Sequence, residues 1–255
     1  MDIRRRGAFA IILGLTTIAT AMAQQKEWPV HDMERPVPPI VETGPGPAQP
    51  LPVPSDAIVL FNGKDMSEWR TQKGDQPPKW KIENGYMEVV KGGGGSIVTT
   101  RTFGDVQVHV EWQLPENVTG EGQNRGNSGV FFGGMRYEVQ VLDSYKNRTY
   151  ADGQAAALYG QFPPLVNAMR PPGQWQTYDI IFHRPRFDGD KVVSPARVTV
   201  IHNGVLVQDN VSLSGPTAHK ARPPYKPHED KLPIGLQDHN EPVRFRNIWV
   251  RELEK

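Results

Sequence analysis

The sequence has 255 residues without cysteine, and its 29 basic and 28 acidic side chains give a net charge of +1. The absence of cysteine excludes disulfides, thiol catalysis and thiolate metal sites. A near-neutral chain without a basic block also offers no electrostatic reason to bind nucleic acid or anionic lipid.

The first 23 residues have the pattern of a secretory signal peptide. Three arginines at positions 4–6 precede an apolar run from Ala8 to about Ala19, and Ala-Met-Ala at 21–23 fits a small-x-small cleavage site. We predict cleavage after Ala23, a periplasmic or secreted protein, and no membrane contact after cleavage. An uncleaved membrane anchor is the alternative, but the apolar run is shorter than the roughly 20 residues that span a bilayer.

Residues 24–54 are rich in proline and contain Pro38-Pro39 and the run GPGP at 44–47. Proline lacks the backbone donor that a helix or a central strand needs. We therefore predict a semi-extended tether for this segment. The alternative is an ordered strap that lies on the domain that follows.

Residues 55–255 are predicted to form a single β domain. Short alternating segments are separated by Gly, Pro or Asn, and Asn-Gly pairs at 84–85 and 203–204 are strong hairpin signals. No segment has a convincing helical period. The segments read IVLFNGKDMSEWR, WKIENGYMEVV, VQVHVEWQL, YEVQVLD, WQTYDIIFH, ARVTVIHNGVLVQ, LPIGLQDH and VRFRNIWVREL. This pattern predicts an all-β fold, a two-sheet jelly-roll β-sandwich.

Several predicted strands carry polar side chains on one face and apolar side chains on the other. Such residues occur in three strands: His109 and Glu111; Glu138 and Gln140; and Gln237 and His239. We place the first two strands side by side, which gives one face rich in carboxylate, imidazole and amide groups. Such a face suits a polyhydroxylated ligand, while the alternative is that these side chains are simply solvated.

Two loops and one residue pair contain further candidates for ligand-binding or metal-binding residues. Arg125, Asn127 and Ser128 precede the strand that carries Glu138, in a segment that otherwise reads as a turn. The long loop 144–173, which holds Tyr159, is predicted to be either a functional lid or an ordered coil at a sheet edge. The pair His109-x-Glu111 also suggests a possible divalent metal, although no cofactor is predicted firmly.

The ordered set of motifs resembles the 3-keto-disaccharide hydrolase family over about residues 58–253. The motifs are LFNGKDMSEWR, WKIENGYMEV, DVQVHVEWQLP, GNSGVFF, YEVQVLDS, ALYGQFPPLVNAMRPPGQWQTYDIIFH, HNGVLVQ and PIGLQDHNEPVRFRNIWVREL. The resemblance implies a concanavalin-like jelly roll, export from a bacterium, and a carbohydrate substrate. It also implies hydrolysis of glycosides that are oxidised at C3, through removal of the C2 proton, elimination and hydration.

This chemistry needs a base near C2, a donor for the enolate oxygen and an acid for the leaving group. We hypothesise that Glu138 or Glu111 is the base and that His109 or His239 is the acid. The candidates for contacts with the sugar or the enolate are Arg125, Asn127, Ser128, Gln140, Asp143, Tyr159 and Gln237.

Three other functions remain open from the sequence. A non-catalytic glycan-binding module would use the same polar face, because a jelly-roll fold does not decide function. A conventional glycosidase would need two carboxylates, such as Glu111 and Glu138, roughly 5–10 Å apart. A structural interaction domain carried by the proline-rich segment is the third alternative.

Overall fold

The structure, a computed structural model, describes residues 28–253. The predicted signal peptide and the first residues of the predicted tether lie outside this range. Within residues 28–253 the regular elements are strands and two short 3-10 turns, Gly122–Asn124 and Ala151–Gly153. No helix in this part of the chain is long and apolar enough to cross a membrane.

The strands are numbered in chain order. They are β1 (Ile58–Phe61), β2 (Trp69–Thr71), β3 (Lys81–Glu83), β4 (Tyr86–Glu88), β5 (Ile97–Thr99), β6 (Val106–Gln113), β7 (Ser128–Phe132), β8 (Tyr137–Val141), β9 (Gln176–His183), β10 (Arg186–Asp188), β11 (Lys191–Ser194), β12 (Arg197–His202), β13 (Val205–Ser212), β14 (Gly235–Leu236) and β15 (Arg244–Glu252).

Two antiparallel sheets form a sandwich, which confirms the predicted all-β, two-sheet architecture. The large sheet has the order β13-β12-β9-β6-β15-β4-β3, and β1 also pairs with β15. The small sheet has the order β2-β5-β14-β7-β8, and β10 and β11 form a separate hairpin. Strands distant in sequence are neighbours in both sheets: β6 pairs with β15 in the large sheet, and β5 pairs with β14 in the small sheet.

The apolar faces of the two sheets meet in the core. Phe132 of β7 and Phe182 of β9 stack with ring centroids 4.6 Å apart, so they join the small sheet to the large one. The hydroxyl of Tyr178 in β9 donates a 2.8 Å hydrogen bond to the backbone oxygen of Gln140 in β8. Burial of each large apolar side chain contributes about 1.5–3 kcal/mol to the stability of the fold. The apolar contacts between the sheets therefore hold the two sheets together.

The two hairpins predicted from Asn-Gly pairs are present. Asn84 and Gly85 connect β3 to β4 with φ angles of 48° and 80°, and Asn203 and Gly204 connect β12 to β13 with φ angles of 54° and 83°. Both turns therefore have the two positive φ angles of a type I′ turn. Asn and Gly adopt such angles at low cost, which explains why these pairs mark hairpins in the sequence.

Residues 28–54 lie on the domain as a strap, the arrangement considered above as the alternative to a free tether. The backbone of residues 39–41 pairs with Asn167, and Arg170 donates to the carbonyl of Gly44 over 2.6 Å. Farther along the strap, the backbone nitrogen of Leu51 donates to Glu111 over 2.7 Å. Proline prevents regular structure in this segment but does not prevent these separate contacts.

Two loops cover the outer face of the small sheet, the face turned away from the core. The loop between β8 and β9 pairs with β8, since the backbone of Gln140 exchanges hydrogen bonds with residues 156 and 157. The loop between β13 and β14 is fixed by Thr217, whose backbone nitrogen donates to the Arg136 carbonyl over 2.9 Å. Every residue of β7 and β8 is consequently buried.

Candidate active site

A polar cavity of about 310 Å³ lies between the small sheet and its two covering loops. Nine residues line it: Asn127, Glu138, Gln140, Tyr159, Thr217, Ala218, His219, Gln237 and His239. Six of the eleven residues singled out from the sequence are among them: Asn127, Glu138, Gln140, Tyr159, Gln237 and His239. The polar residues of β8 thus line this cavity, together with groups from both covering loops.

Three adjacent chain segments, β7, β8 and the segment just after β14, form the floor of the cavity. Gly129 of β7 is paired with Gln140 of β8, and the backbone nitrogen of Gln237, just after β14, donates to the Gly129 carbonyl over 3.0 Å. Residues paired across antiparallel strands point to the same face. Two amide side chains therefore flank a glycine, and the carboxyl group of Glu138 occupies the space that a side chain at Gly129 would fill.

Glu138 is the carboxylate of this cavity. The residue is only 6 % exposed, and within residues 28–253 it forms no ion pair. Burial raises the pKa of Glu138 to about 8, because the charged form loses hydration without gaining a cation. A carboxyl group with this pKa exchanges a proton near neutral pH, which is what a general base or acid requires.

The amide of Gln140 adjoins the carboxyl group of Glu138. With its nitrogen turned toward Glu138, the amide donates to Oε1 over 3.1 Å and to the Ser128 carbonyl over 2.7 Å. In the reverse orientation the nitrogen donates to Gln123 Oε1 over 3.0 Å, and the amide oxygen faces Glu138. Because an amide both donates and accepts, Gln140 can serve the ionised and the protonated form of Glu138.

The opposite side of the floor holds Gln237 and His239. The side-chain oxygen of Gln237 is buried and has no hydrogen-bond partner within residues 28–253. Such an unpaired group is costly in a folded protein, and a ligand hydroxyl would satisfy it. Glu241 lies 3.3 Å from Nδ1 of His239, and this contact raises the pKa of His239.

The wall of the cavity contains a chain of hydroxyl and imidazole groups. The hydroxyl of Tyr159 lies 2.8 Å from that of Tyr150 and 3.2 Å from Nδ1 of His219. Burial raises the pKa of Tyr159, and the charge of Glu138 adds to that effect. Tyr159 therefore stays protonated across the neutral range and lines the same cavity as Glu138.

Sequence reasoning missed three lining residues, Thr217, Ala218 and His219. Thr217 is a structural support, because its hydroxyl accepts from the backbone nitrogen of Glu138 over 3.1 Å. These residues belong to a loop without alternation, and a single histidine in such a loop gives no signal of its position. The only indication is the length of the segment between β13 and β14.

Three predicted substrate-binding residues lie next to the cavity but do not line it. Arg125 donates to Asp143 over 2.7 Å, and Asp143 is fully buried. The hydroxyl of Ser128 donates to the Gln237 carbonyl over 2.6 Å. These side chains use their polar groups to hold the backbone around the site.

The structure does not bring Glu111 and His109 to this cavity. The prediction that their strand adjoins the strand of Glu138 is wrong, because β6 belongs to the large sheet and β8 to the small one. Glu111 accepts from Arg246 and Asn247, each over 2.7 Å, and from the strap at Leu51. His109 stacks on Trp249 and contacts Asp179 over 2.8 Å. Alternation identifies the polar face of a strand but not the sheet that contains it.

Within the described residues 28–253, no three His, Asp or Glu side chains are grouped so that they could share a metal ion. This finding applies to His109 and Glu111 as well, since their groups are engaged by Asp179, Arg246 and Asn247.

Comparisons with known proteins cover most of the chain. The family model described as "3-keto-alpha-glucoside-1,2-lyase-like domain" matches residues 56–251. A Bacteroides thetaiotaomicron protein named 3-keto-disaccharide hydrolase is 26% identical, and the match covers 80% of this chain and 81% of the relative.

Two solved structures of Parabacteroides distasonis proteins, both described as glycosyl hydrolases, are similar in fold. One is 43% identical with a TM-score of 0.76, and the match covers 95% of this chain and 100% of the other. The second is 18% identical with a TM-score of 0.58, covers 81% of this chain and 100% of the other, and shares the fold. The family match spans both loops of the cavity and all the strands except the last residue of β15, and the resemblance noted from the motifs is confirmed. This chain belongs to the 3-keto-alpha-glucoside-1,2-lyase-like domain family.

Proposed function

We propose that this protein is an exported, glycoside hydrolase-like enzyme that cleaves glycosides carrying a ketone at C3. The family description and the name of the Bacteroides thetaiotaomicron relative both support this substrate class. The observation that carries the proposal is Glu138, a buried carboxyl group that has no cationic partner among residues 28–253. The other polar groups of its cavity are amides, hydroxyls and imidazoles.

The first step is removal of a proton from C2 by the carboxylate of Glu138. The ketone at C3 makes this proton acidic, because the electron pair left on C2 delocalises onto the ketone oxygen as an enolate. A carboxylate whose pKa is raised is a stronger base than an ordinary one. The neighbouring amide of Gln140 remains hydrogen-bonded to Glu138 when the carboxyl group takes up the proton.

The enolate oxygen needs hydrogen-bond donors or positive charge in a site with little water. The amides of Asn127 and Gln237 line the cavity and supply donors for this oxygen or for the sugar hydroxyls. His239 adds positive charge over a wider pH range than a free histidine, since its contact with Glu241 raises its pKa.

In the second step the ketone re-forms, a C1=C2 double bond forms, and the bond from C1 to the leaving oxygen breaks. We assign the proton for the leaving oxygen to Tyr159, whose hydroxyl faces the cavity and whose pKa lies above its ordinary value. Water then adds its hydroxyl group to C1 and a proton to C2, so the net reaction is hydrolysis.

The two-carboxylate glycosidase has less support than this mechanism. Glu111 and Glu138 belong to different sheets, and among the nine residues of the lining only Glu138 carries a carboxylate. The mechanism of conventional glycosidases requires a pair of carboxyl groups on the two sides of the scissile bond.

The test compares nitrophenyl 3-keto-glucoside with nitrophenyl glucoside, with and without a chelator. The variants are Glu138→Gln and, as a matched control, Glu34→Gln, whose side chain is exposed on the strap. We expect release of nitrophenol from the keto compound only, retention in Glu34→Gln, and a loss of about 10²–10⁴-fold in Glu138→Gln.

The product made in D₂O provides a second readout. Elimination followed by hydration places deuterium on C2, whereas direct hydrolysis leaves the original hydrogen there. Release from the plain glucoside without deuterium at C2 would indicate a conventional glycosidase. Sugar binding without release from either compound would indicate a glycan-binding module, and sensitivity to the chelator would indicate a required metal.

A further inference from the structure

The N-terminal strap reaches the wall of the cavity through His31. The ring centroid of His31 lies 4.0 Å from that of Tyr150, 4.9 Å from that of Tyr159 and 5.2 Å from that of His219. Tyr159 and His219 line the cavity. The family match begins only at residue 56, so His31 belongs to a part of the chain outside the matched domain.

His31 is fixed in place by one buried carboxylate. Its backbone nitrogen donates to Oδ2 of Asp152 over 3.1 Å, and its Nδ1 lies 3.3 Å from Oδ1 of the same residue. Asp152 is fully buried, and the side chain of His31 is 5 % exposed. The φ angle of His31 is 62°, a left-handed conformation that directs both groups toward Asp152.

The ring of His31 packs against the ring of Tyr159 and against both groups that contact the Tyr159 hydroxyl. Tyr150 and His219 contact this hydroxyl directly, over 2.8 and 3.2 Å, and His31 lies against both of their rings. Its other ring nitrogen, Nε2, is buried without a hydrogen-bond partner in the described part of the chain. The ring therefore acts mainly by filling space behind the wall.

We propose that the strap completes the active site and that His31 is a positioning residue for Tyr159. This inference rests on the proposed function, in which Tyr159 donates the proton to the leaving oxygen. His31 does not touch the reacting atoms. It holds the Tyr150–Tyr159–His219 wall at the distance from Glu138 that the elimination step requires, and displacement of such a group by about 1 Å can cost up to about 100-fold in rate.

The test uses His31→Asn. Asparagine accepts the left-handed backbone and can still bond Asp152, so the substitution removes only the ring that packs behind the wall. Tyr150→Phe is the second variant, because it removes one hydrogen bond to Tyr159 and keeps the ring. Glu34→Gln is the control from the same strap, three residues from His31 and exposed to solvent.

The substrates are nitrophenyl 3-keto-glucoside and methyl 3-keto-glucoside, which differ in their need for an acid. Nitrophenolate departs readily without a proton, whereas methoxide does not. We expect kcat for the methyl compound to fall about 10–100-fold in His31→Asn and in Tyr150→Phe, with a much smaller decrease for the nitrophenyl compound. KM should change little, and Glu34→Gln should match the wild type.

Equal losses on both substrates, or no loss on either, would overturn the positioning role of His31, because a general structural defect does not distinguish leaving groups. A wild-type protein that is inactive on both keto compounds would instead overturn the proposed function, and this inference with it. The two failures are therefore distinguished by the wild-type rate in the same assay.

Discussion

A side chain at Gly129 would collide with the carboxyl group of Glu138. A Cβ atom built on Gly129 lies 2.4 Å from Oε1 of Glu138 and 2.8 Å from the ring of Phe131. The φ angle of Gly129 is not in the left-handed region, so space and not backbone strain restricts this position. The glycine thus gives the carboxyl group of Glu138 the room that it occupies at the floor of the cavity.

We predict that Gly129→Ala displaces Glu138 and lowers kcat/KM for the keto substrate by at least about tenfold, since small misplacements of reacting groups are costly. Steady-state kinetics and a thermal melt would test this. Gly44→Ala is the control, because in the described part of the chain no atom lies within 4 Å of a Cβ at that position. Full activity of Gly129→Ala would mean that the position of Glu138 does not determine the rate.

The pH dependence of turnover tests the protonation state in which Glu138 acts. Burial raises the pKa of Glu138 to about 8, and a base must be ionised to accept the proton. We therefore expect kcat/KM to rise with pH up to about 8, since this parameter reports the free enzyme. Rates that fall over the same range would indicate that Glu138 acts as an acid.

The raised pKa of Glu138 also predicts that the stability of the protein depends on pH. The pKa of Glu138 is higher in the folded than in the unfolded protein, so the folded state binds more protons between about pH 4.5 and 8. The free energy of unfolding therefore decreases as pH rises through this range. Glu138→Gln lacks this titration, and at pH 8 we expect it to exceed the wild type in stability by about 2–4 kcal/mol.

Urea unfolding at pH 5 and at pH 8.5 would measure this difference. The gap in stability between Glu138→Gln and the wild type should widen toward the higher pH. A gap independent of pH would contradict the raised pKa of Glu138. A Glu138→Gln variant that is more stable but less active than the wild type is the result expected where a buried charged group is kept for function.

The predicted export can be tested on the protein isolated from a bacterium. Cleavage after Ala23 would give a mature chain that begins at Gln24 and has a net charge of about −1, since the removed segment contains three Arg and one Asp. N-terminal sequencing of the periplasmic or secreted fraction would check the site. A chain that retains Met1 in a membrane fraction would indicate the uncleaved anchor.

The sequence predicted much of the small sheet and its site because local patterns determine them. Strict alternation in β8 separates Tyr137, Val139 and Val141 from Glu138 and Gln140, and the structure has these two faces. Which strands are neighbours depends on contacts between distant segments, and alternation carries no information about them. Alternation alone therefore groups Glu111 with Glu138, although their strands lie in different sheets.

The strap also explains why the prediction that Glu111 faces a ligand is wrong. A polar residue on the second face of a strand is expected to meet either solvent or a ligand, but Glu111 and His109 are buried by other parts of the protein. Proline-rich sequence gives no period that would reveal where the strap docks. The wall residue His31 was missed for the same reason, because its contacts with Tyr150 and Asp152 span more than 100 positions.

Glu111→Gln provides the sharpest comparison between structural and catalytic carboxylates. Glu111 accepts from Arg246, Asn247 and the strap at Leu51. Removing its charge leaves the Arg246 guanidinium buried without a carboxylate, which typically costs about 3–5 kcal/mol. We expect a clear decrease in Tm, while the folded protein retains most of its turnover, in contrast to Glu138→Gln.

Thermal melts and kcat measured well below Tm would test this expectation on both variants. Asp56→Asn is the matched control for loss of an arginine contact, because the ion pair of Asp56 with Arg251 is exposed to solvent and such pairs contribute little to stability. If Glu111→Gln lost turnover as completely as Glu138→Gln at an unchanged Tm, the chemistry would have to involve the outer face of the large sheet, where Glu111 lies. A stable protein that loses turnover only through Glu138 would place the reaction on the small sheet, and the carboxylate of Glu111 would then serve to hold the strap in position.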